Sequence, residues 1–469
     1  MANSRSKAAN GLRELVDWAA GVALEDIPAP VLKRAALILA DDLAAMVAAR
    51  DEPEVVHMHE QLLGRTASAE ATIFRGGRPK TDRYSAALAN GVAGNWCELD
   101  EGYRKVPSHP GIYVLPGLLA EAEAEGLTAG EVLRATALAY EIVGRIAQTF
   151  YFPQPRIHPH ARYSALGAAA AIGLARGLDC AQLLNAVSAA TTLSLAGPQN
   201  HVIKGALIEN TWAGLGVQAG MRAADWAVFG VGGLADSPYD VYVEALGAEF
   251  RPEHLCADLG QEWAVQFGFN KLYATCGRTH AAVEATLGLL DELPSGDACR
   301  IIERVELDVH DPQLDNYDPP TGLAARFSFP HVIACVLVYR HADANAFAAG
   351  GLASPEVTEL RKRIGIRPFA PPQPWPDDRA ARVTIRLKDG RVLVREVTIA
   401  RGTPDRPLSD LEIVAKVEAL AGAVYPRLAQ VATQLVALDP VRMNQRWGAC
   451  VEDFTGAEID HAPRHFAAG

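Results

Sequence analysis

A short segment in the first quarter of the chain brings carboxylates and a histidine close together. Glu98 and Asp100 open this segment, and His109 begins a His-Pro turn at its end. Carboxyl and imidazole groups are the ones that enzymes use most often to move protons near neutral pH. The segment therefore indicates acid–base chemistry, and a solvated surface loop explains its composition equally well.

Three later segments carry positive charge or histidine and could bind an anion. Lys204 follows an uncharged stretch, 180–203, where a lysine is either a surface end residue or a site cation. The other two segments read Lys-Leu-Tyr-Ala-Thr-Cys-Gly-Arg-Thr-His from position 271 and Arg-Phe-Ser-Phe-Pro-His from position 326. Taken alone, each is explained as well by a surface turn. Their candidate residues are Lys271, His280, Arg326 and His331.

Other signatures of known chemistry are weaker. His158 and His160 flank a proline and raise the question of a metal, but no further histidine or acidic residue stands near them at the spacing of a ligand motif. We therefore predict no metal. The sequence contains no G-x-S-x-G nucleophile turn and no Walker-type phosphate loop. Gly214, Gly216 and Gly220 resemble a dinucleotide loop, but they lie in a helical pattern, so we interpret them as helix-packing positions.

Charge and composition exclude several classes of partner. The 469 residues include 44 lysines and arginines against 56 aspartates and glutamates, which gives a net charge of −12. Binding phosphates or anionic headgroups would require the opposite balance, so we expect no nucleic-acid or membrane partner. Seven cysteines without a C-x-x-C pair indicate reduced thiols. Since no signal sequence is recognisable at the N-terminus, we expect a cytoplasmic protein.

Hydrophobic spacing predicts a mostly α-helical chain. Apolar residues recur at helical intervals through most of the first half and again near the C-terminus. Between these regions, two alternating runs flank Asp389-Gly390, which is typical of a β-hairpin. We therefore predict one large all-helical domain built from both chain ends, 1–268 and 403–469, with a smaller α+β lid domain, 269–402, inserted between them. A cleft between two such domains is a usual place for a substrate.

In their order and spacing, these segments resemble the MmgE/PrpD family, which includes 2-methylcitrate dehydratase, cis-aconitate decarboxylase and iminodisuccinate epimerase. The acidic segment that ends in His109 and Pro110 resembles the family's D-F-D-D-T…H-P-S segment. Four further matches follow in the family's order: His158-Pro159 before an alanine run, Lys204, Lys271 with Cys276, and Arg326 before Phe-Ser. The resemblance covers nearly the whole chain.

The resemblance implies a helical domain, an α+β lid and a homodimer, with neither a metal nor an organic cofactor. It also implies a site for a small di- or tricarboxylate. The site residues carried over by position are Asp100 or Glu98, His109, His158, Lys204, Lys271 and His331. Three further candidates for substrate binding are Arg104, His280 and Arg326.

The reactions of this family remove a proton, or a carboxylate, from carbon beside a carboxylate. Such carbon is a weak acid, so a positioned base and cations that hold the developing charge are both required. We predict that Lys204 and Lys271 hold substrate carboxylates. His109 and His158 are the candidates for base and acid, in an order that the sequence leaves open. We expect Asp100 to orient one of the two imidazoles.

These roles predict a hydro-lyase if an acid protonates a leaving hydroxyl on the neighbouring carbon. They predict an epimerase if a second base returns the proton on the opposite face, and a cis-aconitate-type decarboxylase is a further alternative. Gly102, in place of the family's threonine, favours a reaction other than the standard dehydratase. A chain that kept the fold and only binds anions is the alternative from another functional class.

Overall fold

Most of the chain is helical. The computed structural model describes residues 2–154, 156–293 and 298–456, and the majority of them lie in α-helices, with only short sheets. The prediction of a mostly α fold is confirmed. Among these residues, no helix is both long and apolar enough to cross a membrane.

The first half of the chain forms helices that begin where the sequence supplies capping residues. Thr128 accepts a hydrogen bond from the backbone of Glu131, and the Glu131 side chain returns it, which is the predicted capping box. The first ten described α-helices are α1 (Ala2–Gly21), α2 (Ala29–Ala48), α3 (Pro53–Leu63), α4 (Arg83–Trp96), α5 (Pro110–Glu125), α6 (Ala129–Thr149), α7 (Pro159–Ala175), α8 (Cys180–Thr192), α9 (Asn200–Lys204) and α10 (Trp212–Ala227).

Shorter helices follow in the second half, and the chain returns to longer ones near its C-terminus. Helices α18 and α19 pack on α2, so the C-terminal part joins the first helices. The bounds are α11 (Glu253–Cys256), α12 (His280–Leu287), α13 (Ala298–Ile301), α14 (Gly322–Arg326), α15 (Phe329–Tyr339), α16 (Ala349–Leu352), α17 (Pro355–Arg361), α18 (Asp410–Ala421), α19 (Leu428–Val436), α20 (Pro440–Met443) and α21 (Trp447–Thr455).

One four-stranded sheet lies in the second half, with the strand order β10-β9-β7-β8. The predicted hairpin is present, because β9 and β10 pair antiparallel across the Asp-Gly turn. Strand β8 pairs parallel with β7. The strands are β1 (Ala71–Thr72), β2 (Lys80–Thr81), β3 (Gly102–Tyr103), β4 (Phe150–Tyr151), β5 (Glu249–Phe250), β6 (Gly268–Phe269), β7 (Ile302–Val309), β8 (Ile364–Pro368), β9 (Ala381–Leu387) and β10 (Val392–Val397).

Buried apolar residues form separate clusters along the chain. The largest draws on residues 8–265 and 408–454. A second draws mainly on residues 274–400, together with a few from the region of α2 to α4. The predicted domain boundaries at 268 and 402 stay a prediction.

Glycines let α10 approach its neighbours closely. A Cβ at Gly220 would lie 2.1 Å from the backbone oxygen of Ala165 in α7, and one at Gly214 would lie 2.5 Å from the backbone oxygen of Leu88 in α4. Atoms cannot approach so closely, so α10 packs against α7 and α4 here only because it has no side chain at these two positions. The interpretation of these glycines as helix-packing positions agrees with the structure.

Candidate active site

A short strand pair places the acidic segment against Lys271. Strand β3 pairs antiparallel with β6, with Gly102 opposite Phe269. Because Lys271 lies two residues after β6 and the acidic residues precede β3, this pairing brings their side chains together. The Nζ atom of Lys271 lies 2.8 Å from Oε2 of Glu98 and 3.0 Å from Oδ1 of Asp100. All three side chains are buried.

The histidines reach the same place from the start of two helices. His109 is the residue before α5 and His158 the residue before α7, and a proline opens each helix. Helices α5 and α7 pack against each other. The ring centroid of His160 lies 4.9 Å from that of His109 and 4.5 Å from that of His158. Three imidazoles therefore meet where the two helices begin.

One cavity collects these side chains from both halves of the chain. Four residues proposed from the sequence line it, namely Glu98, His109, His158 and Lys271. Asp100 stands directly behind His109 and Lys271 and contacts both. The other polar residues of its lining are Tyr103, Ser108, His160, Gln199, Cys276, Arg278 and Arg379.

The buried ion pair keeps Lys271 charged. Burial lowers the pKa of its ammonium, but the carboxylates of Asp100 and Glu98 outweigh burial and raise the pKa of Lys271 above its ordinary value. Burial likewise raises the pKa of Asp100, but Lys271 and His109 outweigh it and hold that pKa below its usual value. An ammonium has three N–H donors. Two of them face these carboxylates, which leaves the third for an anion in the cavity.

His109 and Asp100 form a carboxylate–imidazole pair. The Nδ1 atom of His109 lies 2.8 Å from Oδ2 of Asp100 and 2.7 Å from the backbone oxygen of Glu101. Both neighbours are acceptors, so Nδ1 carries the proton, and the neutral ring presents the lone pair of Nε2. Burial lowers the pKa of His109, but the Asp100 carboxylate outweighs it and raises that pKa. The arrangement suits a base whose cationic form is stabilised.

His158 is held in the neutral form. Its Nδ1 accepts from the backbone N–H of His160 at 3.4 Å and lies 3.2 Å from Oε1 of Glu209. Burial, reinforced by the neighbouring histidines, lowers the pKa of His158 well below its ordinary value. Burial and the charges of Glu98 and Asp100 raise the pKa of Glu209. A neutral Glu209 carboxyl can donate to Nδ1, and the proton of His158 then lies on Nε2, as a donor.

Three of the predicted substrate-binding residues stand outside the described lining of this cavity. The side chain of Lys204 is exposed at the end of α9. Arg104 is buried and forms an ion pair with Asp378. His280 is buried behind the wall of the cavity, with its ring centroid 5.6 Å from that of Phe269. The binding roles of these three residues stay predictions.

Arg326 and His331 also stand outside the described lining of the cavity. Arg326 is buried beside a second cavity, where its Nη2 lies 3.4 Å from Oε1 of Glu52. His331 is buried in the first turn of α15, and its Nδ1 lies 3.3 Å from Nη1 of Arg361. Burial next to this guanidinium lowers the pKa of His331 to about 4. The site roles predicted for Arg326 and His331 stay predictions.

The cavity and the residues directly behind its wall include functional candidates that the sequence analysis did not select. His160 hydrogen-bonds the Tyr113 hydroxyl through Nδ1 at 3.0 Å. Its only signal was the His-Pro-His pattern, which we considered for a metal. Glu209 and Arg379 carried no local signal, because only the folded chain brings Glu209 beside His158 and Arg379 into the cavity wall.

His158, His160 and Glu209 could hold a metal ion. One donor atom from each lies within 4.8 Å of the others. Two imidazole nitrogens and a carboxylate are a donor set that transition metals accept. The expectation of no metal rested on the lack of a third ligand near the histidines in sequence, and the fold supplies one. That expectation stays a prediction, which elemental analysis of the purified protein can test.

Family models match both parts of the chain. The MmgE/PrpD N-terminal domain matches residues 13–241, and the MmgE/PrpD C-terminal domain matches residues 273–439. The chain belongs to the MmgE/PrpD family. The predicted start of the lid, at residue 269, lies between the two matched ranges.

Curated relatives resemble this MmgE/PrpD chain over most of its length. A cis-aconitate decarboxylase of Aspergillus terreus is 26% identical over 447 residues, which cover 88% of this chain and 89% of the relative. A cis-aconitate decarboxylase-like protein of Aspergillus oryzae is 23% identical and covers 92% and 95%. The cis-aconitate decarboxylase of Mus musculus is 26% identical and covers 73% and 72%. Membership of the MmgE/PrpD family, whose matched relatives carry the names of enzymes, supports the prediction that this chain is an enzyme.

Proposed function

We propose that the chain is a cofactor-independent lyase that takes a proton from carbon beside a carboxylate of a small di- or tricarboxylate. The meeting of two imidazoles in one cavity carries this proposal: His109 lies 2.8 Å from the Asp100 carboxylate, which raises the pKa of His109, and His158 lies 3.2 Å from Glu209, with the pKa of His158 lowered by burial. Titratable groups whose environments push their pKa values apart are typical of acid–base catalysis. The ammonium of Lys271, beside them, suits an anionic substrate.

His109 acts as the base. Its Nδ1 is occupied by Asp100 and a backbone oxygen, so Nε2 takes the proton from the substrate carbon. The Asp100 carboxylate then stabilises the imidazolium that forms, as in other carboxylate–imidazole pairs.

Lys271 holds the negative charge that develops on the substrate. The electron pair left by the proton spreads onto the oxygens of the adjacent carboxylate, where a preorganised donor stabilises it. The free N–H of Lys271 is fixed in place because Glu98 and Asp100 hold the ammonium. One donor of this kind contributes roughly 10²–10³-fold to turnover.

His158 and Glu209 supply the proton for the leaving group. In a dehydration, Nε2–H of His158 protonates the leaving hydroxyl while Nδ1 takes a proton from the Glu209 carboxyl, 3.2 Å away. Water leaves, the electron pair of the broken C–H bond forms the new carbon–carbon double bond, and the abstracted proton stays on His109.

Decarboxylation is the second candidate, and the names of the curated relatives favour it. In that reaction the bond to a carboxylate breaks, CO₂ leaves, and the electron pair stays on carbon until an acid protonates it. The imidazolium form of His109 could supply that proton. A decarboxylase needs an acid but no base, so the lone pair that His109 presents to the cavity favours dehydration.

Proton NMR in heavy water distinguishes these reactions. With citrate or 2-methylcitrate, new alkene resonances are the expected result for a hydro-lyase. Release of CO₂ from cis-aconitate identifies a decarboxylase, and deuterium exchange without a new alkene identifies an epimerase-type reaction. Binding of these anions without any exchange or turnover contradicts the proposal and identifies a non-catalytic binder.

We expect Asp100→Asn to move the acidic limb of the pH profile toward lower pH. The base must be neutral, so kcat/KM falls as the pH drops through the pKa of His109, which Asp100 raises. Without the carboxylate, the imidazolium loses its stabilisation and the pKa of His109 falls, so activity persists to a lower pH. The measurement is kcat/KM against pH for the wild type and the variant.

Glu98→Gln is the matched control for this pH shift. It removes the other carboxylate beside Lys271 and leaves the Asp100–His109 pair in place. A limb that stays in place in Asp100→Asn, or that moves equally in both variants, contradicts the assignment of His109 as the base.

A further inference from the structure

Two arginines from the second half of the chain line the cavity, and one of them has no anionic partner within the part of the chain that the structure describes. Arg278 forms an ion pair with Asp311. Among the described residues, none forms a hydrogen bond or an ion pair with the guanidinium of Arg379, which is half-buried in the cavity wall. Withdrawing a charged donor from water without an acceptor is unfavourable. The position of Arg379 in the cavity wall therefore suits a guanidinium whose hydrogen-bond acceptor is supplied by a bound ligand.

The surroundings of Arg379 leave excess positive charge. Burial, together with the neighbouring guanidiniums of Arg104 and Arg278, lowers the pKa of Arg379 to about 10. The nearby Asp378 is held by Arg104, and Asp311 is held by Arg278. In the described ranges, three guanidiniums thus share two carboxylates, and one positive charge is left for an anion.

The segment that carries Arg379 is fastened to the helical part of the molecule. Nη2 of Arg104 donates to the backbone oxygen of Pro376 at 3.0 Å, and its guanidinium lies 5.9 Å from the ring centroid of Trp375. Arg104 directly follows β3, the strand that places Glu98 and the other acids against Lys271. The same stretch of chain therefore positions both the ammonium and the unpaired guanidinium.

We propose that Arg379, assisted by Arg278, binds a second carboxylate of the substrate, remote from the one beside the reacting carbon. This inference rests on the proposed function, which assigns the first carboxylate to Lys271. A planar guanidinium holds a carboxylate through two parallel N–H···O bonds. The cavity then selects molecules with a carboxylate at each end and rejects monocarboxylates of the same length.

Calorimetric titration with succinate and with butyrate tests this selection, because the two acids have the same carbon chain and differ by one carboxylate. We expect Arg379→Gln to lose roughly ten- to hundredfold in affinity for succinate, as when one charged hydrogen-bonding partner is removed, and to bind butyrate as the wild type does. Arg379→Lys keeps the positive charge but cannot form two parallel N–H···O bonds, so its affinity for succinate is expected to be intermediate. Arg382→Gln, which removes an arginine paired with Glu396 outside the described lining, is the matched control.

The proposal is overturned if Arg379→Gln binds succinate as the wild type does, or if the wild type does not prefer succinate to butyrate. Succinate has no leaving hydroxyl, so this result does not depend on turnover. If Arg379→Gln loses succinate binding and the wild type converts no polycarboxylate, the arginine site is supported and the lyase activity is contradicted. Turnover of a polycarboxylate with KM unchanged in Arg379→Gln contradicts the arginine site alone.

Discussion

His158→Asn is expected to lower kcat/KM by roughly 10²–10⁴-fold, the usual contribution of a positioned proton donor or acceptor. A carboxamide cannot pass a proton from Glu209 to a leaving group. It can still accept the backbone N–H of His160, as Nδ1 of His158 does at 3.4 Å, and asparagine is among the best residues for capping a helix. Helix α7 should therefore begin as before, and thermal unfolding should stay close to that of the wild type. Steady-state kinetics and thermal denaturation measure the two effects.

The matched control is His341→Asn. The His341 side chain is about half exposed near Asp343, outside the described lining of the cavity, so this variant should keep full activity. If folded His158→Asn protein retains more than about a tenth of the wild-type kcat/KM, His158 is not part of the proton transfer.

Lys271→Met is expected to lose both activity and stability. Methionine keeps the unbranched apolar part of the side chain and lacks the ammonium, so it leaves the carboxylates of Glu98 and Asp100 buried without a counter-charge. Removing one partner of a buried ion pair typically costs about 3–5 kcal/mol. Turnover should fall by roughly 10²–10³-fold, because the developing charge loses its donor. Urea unfolding followed by circular dichroism and a turnover assay below the transition measure the two losses.

A double variant separates the two effects of Lys271→Met. Asp100→Asn removes one of the two carboxylates that Lys271→Met leaves without a counter-charge. The double variant that carries both substitutions should therefore recover part of the lost stability and none of the lost activity. An unfolding midpoint of Lys271→Met equal to that of the wild type contradicts a buried ion pair in solution. Wild-type turnover by the folded single variant contradicts the role of Lys271 in holding charge.

Local signals in the sequence were sufficient for much of the fold. The hairpin of β9 and β10 follows from an Asp-Gly turn between alternating runs, and the start of α6 follows from the Thr128–Glu131 capping box. Both depend on residues a few positions apart. Strand β8 pairs parallel with β7, which requires a long crossover, and no short pattern in the sequence specifies that pairing.

The residues of the candidate site could be predicted where several reactive side chains stand within one short segment of the sequence. His109 stood out in the acidic segment and His158 was carried over from the family's His-Pro segment, and the structure brings both to one cavity. Glu209 and Arg379 could not be found in this way, because packing between distant segments is what brings Glu209 to His158 and Arg379 to the cavity wall. Arg326 sat in a conspicuous motif, and the structure turns its guanidinium toward a second cavity.

A crystal structure with bound tricarballylate tests the central claim most directly, because this tricarboxylate has no hydroxyl to lose. We predict one carboxylate within hydrogen-bonding distance of Nζ of Lys271, with the adjacent carbon facing Nε2 of His109 and the next carbon lying near Nε2 of His158. A second carboxylate should lie on Arg379. Density for the ligand in the cavity beside Arg326 instead, or an arrangement in which these imidazoles and the ammonium do not face one ligand, would contradict the claim that they act together on one C–H bond.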